Sequence, residues 1–284
     1  MGGSVDPASD DELDTKISHF FEALWRDYVS IAPSAARIRS LFTADNPSVE
    51  NDHVAFRTFD REPVRLEDLE RHFLELGYRR SSPYVFEEKK LDAWSYEPPR
   101  SHQPRIFLSA LRTRELSADA RSMVEALCRQ IDPNRVEDRS IFYAGVLWQR
   151  PTWPEYERLR VESEYAAWLS IMGYRANHFT ISVNSLRTPR TLEGVIERVE
   201  AAGFPINASG GKLKGSRTEL LEQASTLADR IPVRFGDGSE HPVPSCYYEF
   251  ARRHPTADGT LYSGFVAASA DRLFESTDRA TSDP

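Results

Sequence analysis

Apolar positions set the reading frame of this chain. Ile17, Phe20, Phe21, Leu24, Trp25, Tyr28 and Ile31 recur three and four apart, the spacing of one helical face, and Pro33 closes the pattern. A second short helix is predicted over 34–42, before Asn46-Pro47 breaks the chain. Strict alternation follows at 53–59, with Val54, Phe56 and Thr58 on one face and His53, Ala55, Arg57 and Phe59 on the other, which predicts a strand. Leu66, Leu69, Phe73 and Leu76 return to helical spacing and stop at Gly77. Strands are predicted at 84–90, 93–97 and 105–111, a helix at 117–130 and a strand at 141–148. The stretch 148–168 reads as a connection, helical from Trp153. A second alternating strand covers 178–184, followed by a helix at 192–202 that stops at Gly203. Ser209-Gly210-Gly211 reads as a loose turn, and strands follow at 222–228, 231–235 and 245–252. Residues 1–13 and 276–284 read as flexible tails around one domain, 14–275, whose halves run over about 14–150 and 165–275.

These elements repeat. Asp52-His53-Val54-Ala55-Phe56 matches Asn177-His178-Phe179-Thr180-Ile181, each read as a turn residue and then a strand that starts at histidine. Each strand is followed by one amphipathic helix closed by glycine, Gly77 or Gly203, and then by about three strands. The predicted class is α+β: two βαβββ units around a shared cleft, with added N-terminal helices. Corresponding residues of such halves face one another.

Composition narrows the function. The chain has 284 residues, with 36 Lys and Arg against 44 Asp and Glu, a formal charge of −8. The acidic balance disfavours a nucleic-acid partner, which needs clustered basic charge. No apolar run approaches the ~20 residues of a membrane span. The first residues lack the basic start and apolar stretch of a signal peptide, and Cys128 and Cys246 fit no metal or redox spacing. A cytoplasmic protein with reduced thiols is expected. Gly210-Gly211-Lys212-Leu213 lacks the first glycine and the closing Ser or Thr of a phosphate loop.

Seven histidines are present, and His53 and His178 stand apart because they occupy equivalent places in the repeat. Two convergent neutral imidazoles suit a metal, with a carboxylate as the usual third ligand. Glu249 is the best-placed carboxylate, inside the apolar and aromatic run Cys246-Tyr247-Tyr248-Glu249-Phe250-Ala251. On the residues alone it is either a ligand or the ion-pair partner of Arg252 or Arg253. Arg57 shares the His53 face about 13 Å along the strand, where it meets a small anion or ends the strand exposed. His178, Thr180, Ser182 and Asn184 give the second strand a polar face, suited to a wet cavity or to ordinary half-exposure. Thr180, Ser182 and Tyr247 are the candidate cavity-lining residues.

At His53–Arg57, Asn177–Thr180 and Pro244–Phe250 the chain resembles the 2-oxoadipate dioxygenase/decarboxylase family, from the first helix to about Phe274. The resemblance implies a fold related to the vicinal oxygen chelate superfamily. It implies a mononuclear iron(II), Fe(2+), held by two histidines and a glutamate, which fall on His53, His178 and Glu249. The family's substrate arginine falls on Arg57, and its substrate-contacting Val-Ser pair falls on Ala268-Ser269, with alanine in place of valine. The implied reaction takes a 2-oxo diacid, 2-oxoadipate, and O₂ to 2-hydroxyglutarate and CO₂, with no other organic partner. Two other classes stay open on the residues. One is a metal-dependent isomerase or lyase of the same superfamily, and the other is a non-catalytic small-ligand-binding protein of that fold.

Overall fold

The computed structural model describes residues 7–266. The chain opens with helices α1 (Pro7–Ile31) and α2 (Pro33–Thr43). Helix α1 begins at Pro7, so the expected tail ending at residue 13 is corrected: residues 7–13 are helical. The physical reason is anchoring. Leu13 packs against the core, Asp14 accepts a hydrogen bond from Gln103 (2.9 Å), and Glu12 pairs with Lys16 one turn on (2.7 Å). Pro33 ends one helix and starts the next, because a first-turn residue has no N–H bond to give.

The first repeat is β1 (Asn51–Phe59), α3 (Leu66–Glu75), β2 (Arg79–Phe86), β3 (Leu91–Glu97) and β4 (Arg105–Leu111). A helical connection follows: α4 (Ala118–Cys128), α5 (Pro133–Val136), α6 (Trp153–Glu162) and α7 (Glu164–Met172). The second repeat is β5 (Ala176–Ser182), α8 (Leu192–Ala201), β6 (Lys214–Ser216), β7 (Leu221–Ser225), then β8 (Arg230–Arg234), β9 (Glu240–Pro244) and β10 (Tyr247–Arg253). Strands β8 and β9 form a separate hairpin inserted into the repeat.

The other eight strands form one curled sheet in the order β2-β3-β4-β1-β5-β10-β7-β6. The order is a pseudo-twofold about the antiparallel β1–β5 pair. Strand β4 runs parallel to β1 as β10 runs parallel to β5, and the outer strands of both halves are antiparallel. The α+β architecture of paired βαβββ units with N-terminal helices is the one the repeat predicts.

Some predicted strands move. Residues 141–148 are not a strand: Arg139–Tyr143 is a 3-10 turn that buries Ile141 and Phe142, and Gly145 (φ 69°) makes only an isolated antiparallel bridge to Tyr174. The strand expected at 84–90 is β2, shifted back, with the hairpin turned at Lys90 (φ 56°). As an edge strand, β2 needs no apolar alternation, which hid its polar start. The strand expected at 222–228 ends at Ser225, and β9 with its two prolines was not foreseen.

Alternation decides what each face of the sheet does. On β1, β5 and β10 one face is aromatic and aliphatic and is covered by helices. Trp25 and Tyr28 of α1 pack on Phe179 at 5.1 and 5.0 Å between ring centres, and Trp25 packs on Tyr248 at 5.8 Å. Phe73 of α3 stacks on Phe56 at 5.7 Å. The opposite face carries His53, Arg57, His178, Thr180, Tyr247 and Glu249, all buried. Packing on the first face holds the second in register, because a one-residue slip exchanges the faces. Replacing Phe179 with Ala is expected to cost about 3–5 kcal/mol in chemical denaturation. A loss under 1 kcal/mol would show that α1 does not brace the sheet there.

Candidate metal centre

The sheet brings the two repeat histidines together. His53 pairs in register with Thr180, and Thr180 with Glu249, so these three lie in one row across β1, β5 and β10. His178 stands in the next row, paired with Ala55 on one side and Tyr247 on the other. The Nε2 atoms of His53 and His178 are 3.3 Å apart. Glu249 places Oε1 3.4 Å from His53 Nε2, and Oε2 3.3 Å from His178 Nε2. Among the described residues this is the one group of three His, Cys, Asp or Glu side chains that meets in this way, and all three are buried.

The neighbours fix which atoms face the centre. His53 Nδ1 donates to Asp52 Oδ1 (2.8 Å), and His178 Nδ1 donates to Asn177 Oδ1 (3.1 Å). Both imidazoles therefore turn a lone pair on Nε2 inward, as a metal-binding histidine must. Burial, with His53 and Arg57 nearby, holds His178 well below the ordinary imidazole range, so it is neutral at pH 7. Burial raises the Glu249 carboxyl, opposed by His53 and by a 2.6 Å hydrogen bond from Gln223 to Oε1. Glu249 Oε2 has no hydrogen-bond partner although it is buried. A cation satisfies that atom and both lone pairs at once. Two atoms each about 2.1 Å from one ion and roughly perpendicular lie about 3 Å apart, close to the spacings found. The residues fit a metal.

One ligand pair is built more firmly. Arg253 grips both oxygens of Asp52, at 2.7 and 2.8 Å. Burial works against the Asp52 charge, but Arg253 and His53 hold its carboxyl well below the usual range. The third nitrogen of Arg253 donates to the carbonyls of Tyr262 (2.9 Å) and Gly264 (2.7 Å). That segment lays the Phe265 ring edge-on to His53 at 4.8 Å. The ion pair weighed for Glu249 with Arg252 or Arg253 is thus not made: Arg253 serves Asp52.

Arg57 is buried, not an exposed strand end. Its guanidinium lies 4.7 Å from the Trp168 ring centre and 5.0 Å from that of Tyr165, both on α7. The Thr180 hydroxyl lies 3.1 Å from His53 Nε2, beside the position a metal would take, and Tyr247 stacks on His178 at 4.7 Å. Ser182 is only half-buried and lines a separate polar cleft of roughly 440 Å³ with Asp52, Arg105 and Arg253. Asn184 leaves the strand in a 3-10 turn and caps Arg253 through its backbone. Ala268 and Ser269 lie outside the described residues.

Asp52 and Asn177 were read as turn residues, yet both lie within their strands and hydrogen-bond the histidines beside them. Their repetition in the matched pentapeptides was the available signal. Gln223, Tyr165 and Trp168 carried none, since each comes from an element distant in sequence.

Comparison with known proteins agrees with the geometry. The family model for 2-oxoadipate dioxygenase/decarboxylase matches residues 29–259. The chain belongs to the 2-oxoadipate dioxygenase/decarboxylase family. The Oryza sativa subsp. japonica protein named 2-oxoadipate dioxygenase/decarboxylase, chloroplastic/amyloplastic, is 32% identical over 302 aligned residues, 96% of this chain and 83% of its own. The crystal structure of an Oryza sativa hydroxyglutarate synthase in complex with 2-oxoadipate superposes with a TM-score of 0.90 at 31% identity, covering 95% of this chain and 94% of that one. A Ralstonia eutropha JMP134 structure provisionally assigned to the glyoxalase superfamily has a TM-score of 0.73 at 21% identity, over 87% and 85% of the chains, a likeness of fold. As a 2-oxoadipate dioxygenase/decarboxylase family member, the protein is an enzyme with a buried metal-binding triad of two histidines and one carboxylate. No helix among the described residues is long and apolar enough to cross a membrane.

Replacing His53, His178 or Glu249 with Ala should each abolish stoichiometric metal in the purified protein while circular dichroism stays native. Replacing Asp52 with Asn should weaken metal binding by about 10–100-fold in a competition titration. Native affinity in that variant would reduce Asp52 to a structural residue.

Proposed function

We propose that this enzyme holds iron(II) on His53, His178 and Glu249 and converts 2-oxoadipate and O₂ into 2-hydroxyglutarate and CO₂. The equation balances: six carbons and seven oxygens enter, and one carbon with two oxygens leaves as CO₂. The observation that carries this reading is the three inward-facing ligand atoms gathered on one side, beside a buried arginine on the same face. Two histidines and one carboxylate leave metal positions open, the donor set typical of non-haem iron oxygenases. Iron(II) held by these residues would supply open positions for the 2-oxo acid and O₂ and would relay electrons from the organic substrate to O₂.

The chain's own residues bind, orient and exclude water. Arg57 offers two parallel N–H donors to a substrate carboxylate. The Tyr165 and Trp168 rings hold its guanidinium in place without neutralising it. Burial lowers the Arg57 pKa, yet the group stays cationic, so an anionic substrate offsets a buried charge. Phe265, Phe107 and Tyr84 form an aromatic wall beside His53 that keeps water from the reacting centre. Thr180 stands between His53 and Glu249 in their row and Tyr247 beside His178 in the next, while Ser182 lies further along β5. The family resemblance adds Ala268 and Ser269 as substrate contacts. The buried free thiols Cys128 and Cys246 support a reducing, cytoplasmic setting.

Protein loaded anaerobically with iron(II) is expected to take up one O₂ per 2-oxoadipate and to release 2-hydroxyglutarate, read by an oxygen electrode and mass spectrometry. Turnover without oxygen uptake would indicate an isomerase or lyase instead. Replacing Arg57 with Ala should leave metal content intact and raise KM for 2-oxoadipate by at least about tenfold. An unchanged KM would remove Arg57 from the substrate site.

A further inference from the structure

Tyr247 carries a buried donor that the fold does not use. The residue is 1% exposed, and its hydroxyl has no hydrogen-bond partner among the described residues. Four other buried tyrosines are served: Tyr28 donates to the Tyr247 carbonyl, Tyr78 to Pro104, Tyr96 to Glu70 and Tyr165 to Ser109, while the Tyr248 hydroxyl, also unpartnered, belongs to the face covered by α1 and not to the ligand face. A buried hydroxyl left unpaired is destabilising, so an unused one in a cleft points to an acceptor supplied from outside the chain.

The hydroxyl is also aimed. Strand β10 pairs Tyr247 with His178, and the phenol ring stacks on the imidazole with 24° between planes. Two residues on, the same face bears Glu249. The backbone of Tyr247 is held from behind by Tyr28. The phenol is therefore a fixed donor beside the metal ligands, on the sheet face that also bears Arg57.

We propose that Tyr247 donates its phenolic hydrogen bond to a carboxylate oxygen of the bound 2-oxo acid, forming with Arg57 a two-sided carboxylate clamp. The inference rests on the substrate reading above. An anion placed there gives the unpaired O–H an acceptor and lies on the face that bears the Arg57 cation.

The test is Tyr247→Phe, which removes one oxygen and keeps the ring on His178. Because the hydroxyl is unpartnered, the ligand-free variant should be as stable as wild type or more so, with the same metal content. Calorimetric titration of zinc-loaded, redox-inert protein should show 2-oxoadipate binding about tenfold or more weakly to the variant. 2-Oxohexanoate, which has the same carbon count but lacks the distal carboxylate, locates the contact. A loss confined to 2-oxoadipate puts Tyr247 on the distal carboxylate, and an equal loss for both acids puts it on the one beside the keto group. Unchanged binding of both acids would overturn the proposal. A wild-type protein that binds neither acid would sink the substrate reading, and the inference with it.

Discussion

Two imidazoles and a carboxylate, packed within about 3.4 Å of one another and away from water, are the constraint on which the molecule is organised. Such groups carry a desolvation cost that only a shared cation or a full set of hydrogen bonds offsets. The protein supplies both in part. Asp52, Asn177 and Gln223 satisfy the outer atoms, and the inner atoms are left to a metal. Holding three such side chains in one place demands rigid backbone. That is why the ligands stand on the three central strands and not on loops.

The pseudo-twofold explains half of this site and fails usefully for the rest. His53 and His178 are related by the repeat, as are their hydrogen-bond partners Asp52 and Asn177. Glu249 has no acidic mate: Phe107 occupies the equivalent register position, opposite Ala55 as Glu249 is opposite Thr180. A symmetric pair of carboxylates would bring four ligands and close the metal. Phenylalanine keeps one side open and apolar, where Phe265 completes the wall. The histidines differ too, since one leans on a carboxylate braced by Arg253 and the other on a neutral amide. Arg253 also ties the segment ending at Phe265 to the same network, so the wall over His53 and the orientation of His53 share a single anchor.

The surroundings of Arg57 follow the same logic with the opposite sign of charge. Arg57 is buried among aromatic rings, which support a cation without cancelling it. Helix α7 supplies those rings and is itself tied to the sheet, through Tyr165 to Ser109 and Trp168 to the Ser245 carbonyl. The helical connection between the repeats is thus more than a linker: it supplies the rings that hold Arg57.

The sequence by itself determined the strands that bear the ligands, the helices that follow them and the pairing of His53 with His178. Each rests on local periodicity or on a motif that recurs, and both survive without knowledge of contacts. It also put Arg57 on the His53 face, because alternation along a strand is a local property. Only the tertiary structure decided who serves whom. Asp52 meets Arg253 across 201 positions, Glu249 meets Gln223 rather than its basic neighbours, and Arg57 meets two rings on a distant helix. Those contacts depend on strand order and register across the sheet, which long-range packing selects and no short stretch of sequence encodes. The misplaced strand at 141–148 has the same origin: its apolar residues are core residues of a 3-10 turn, and burial alone does not distinguish the two.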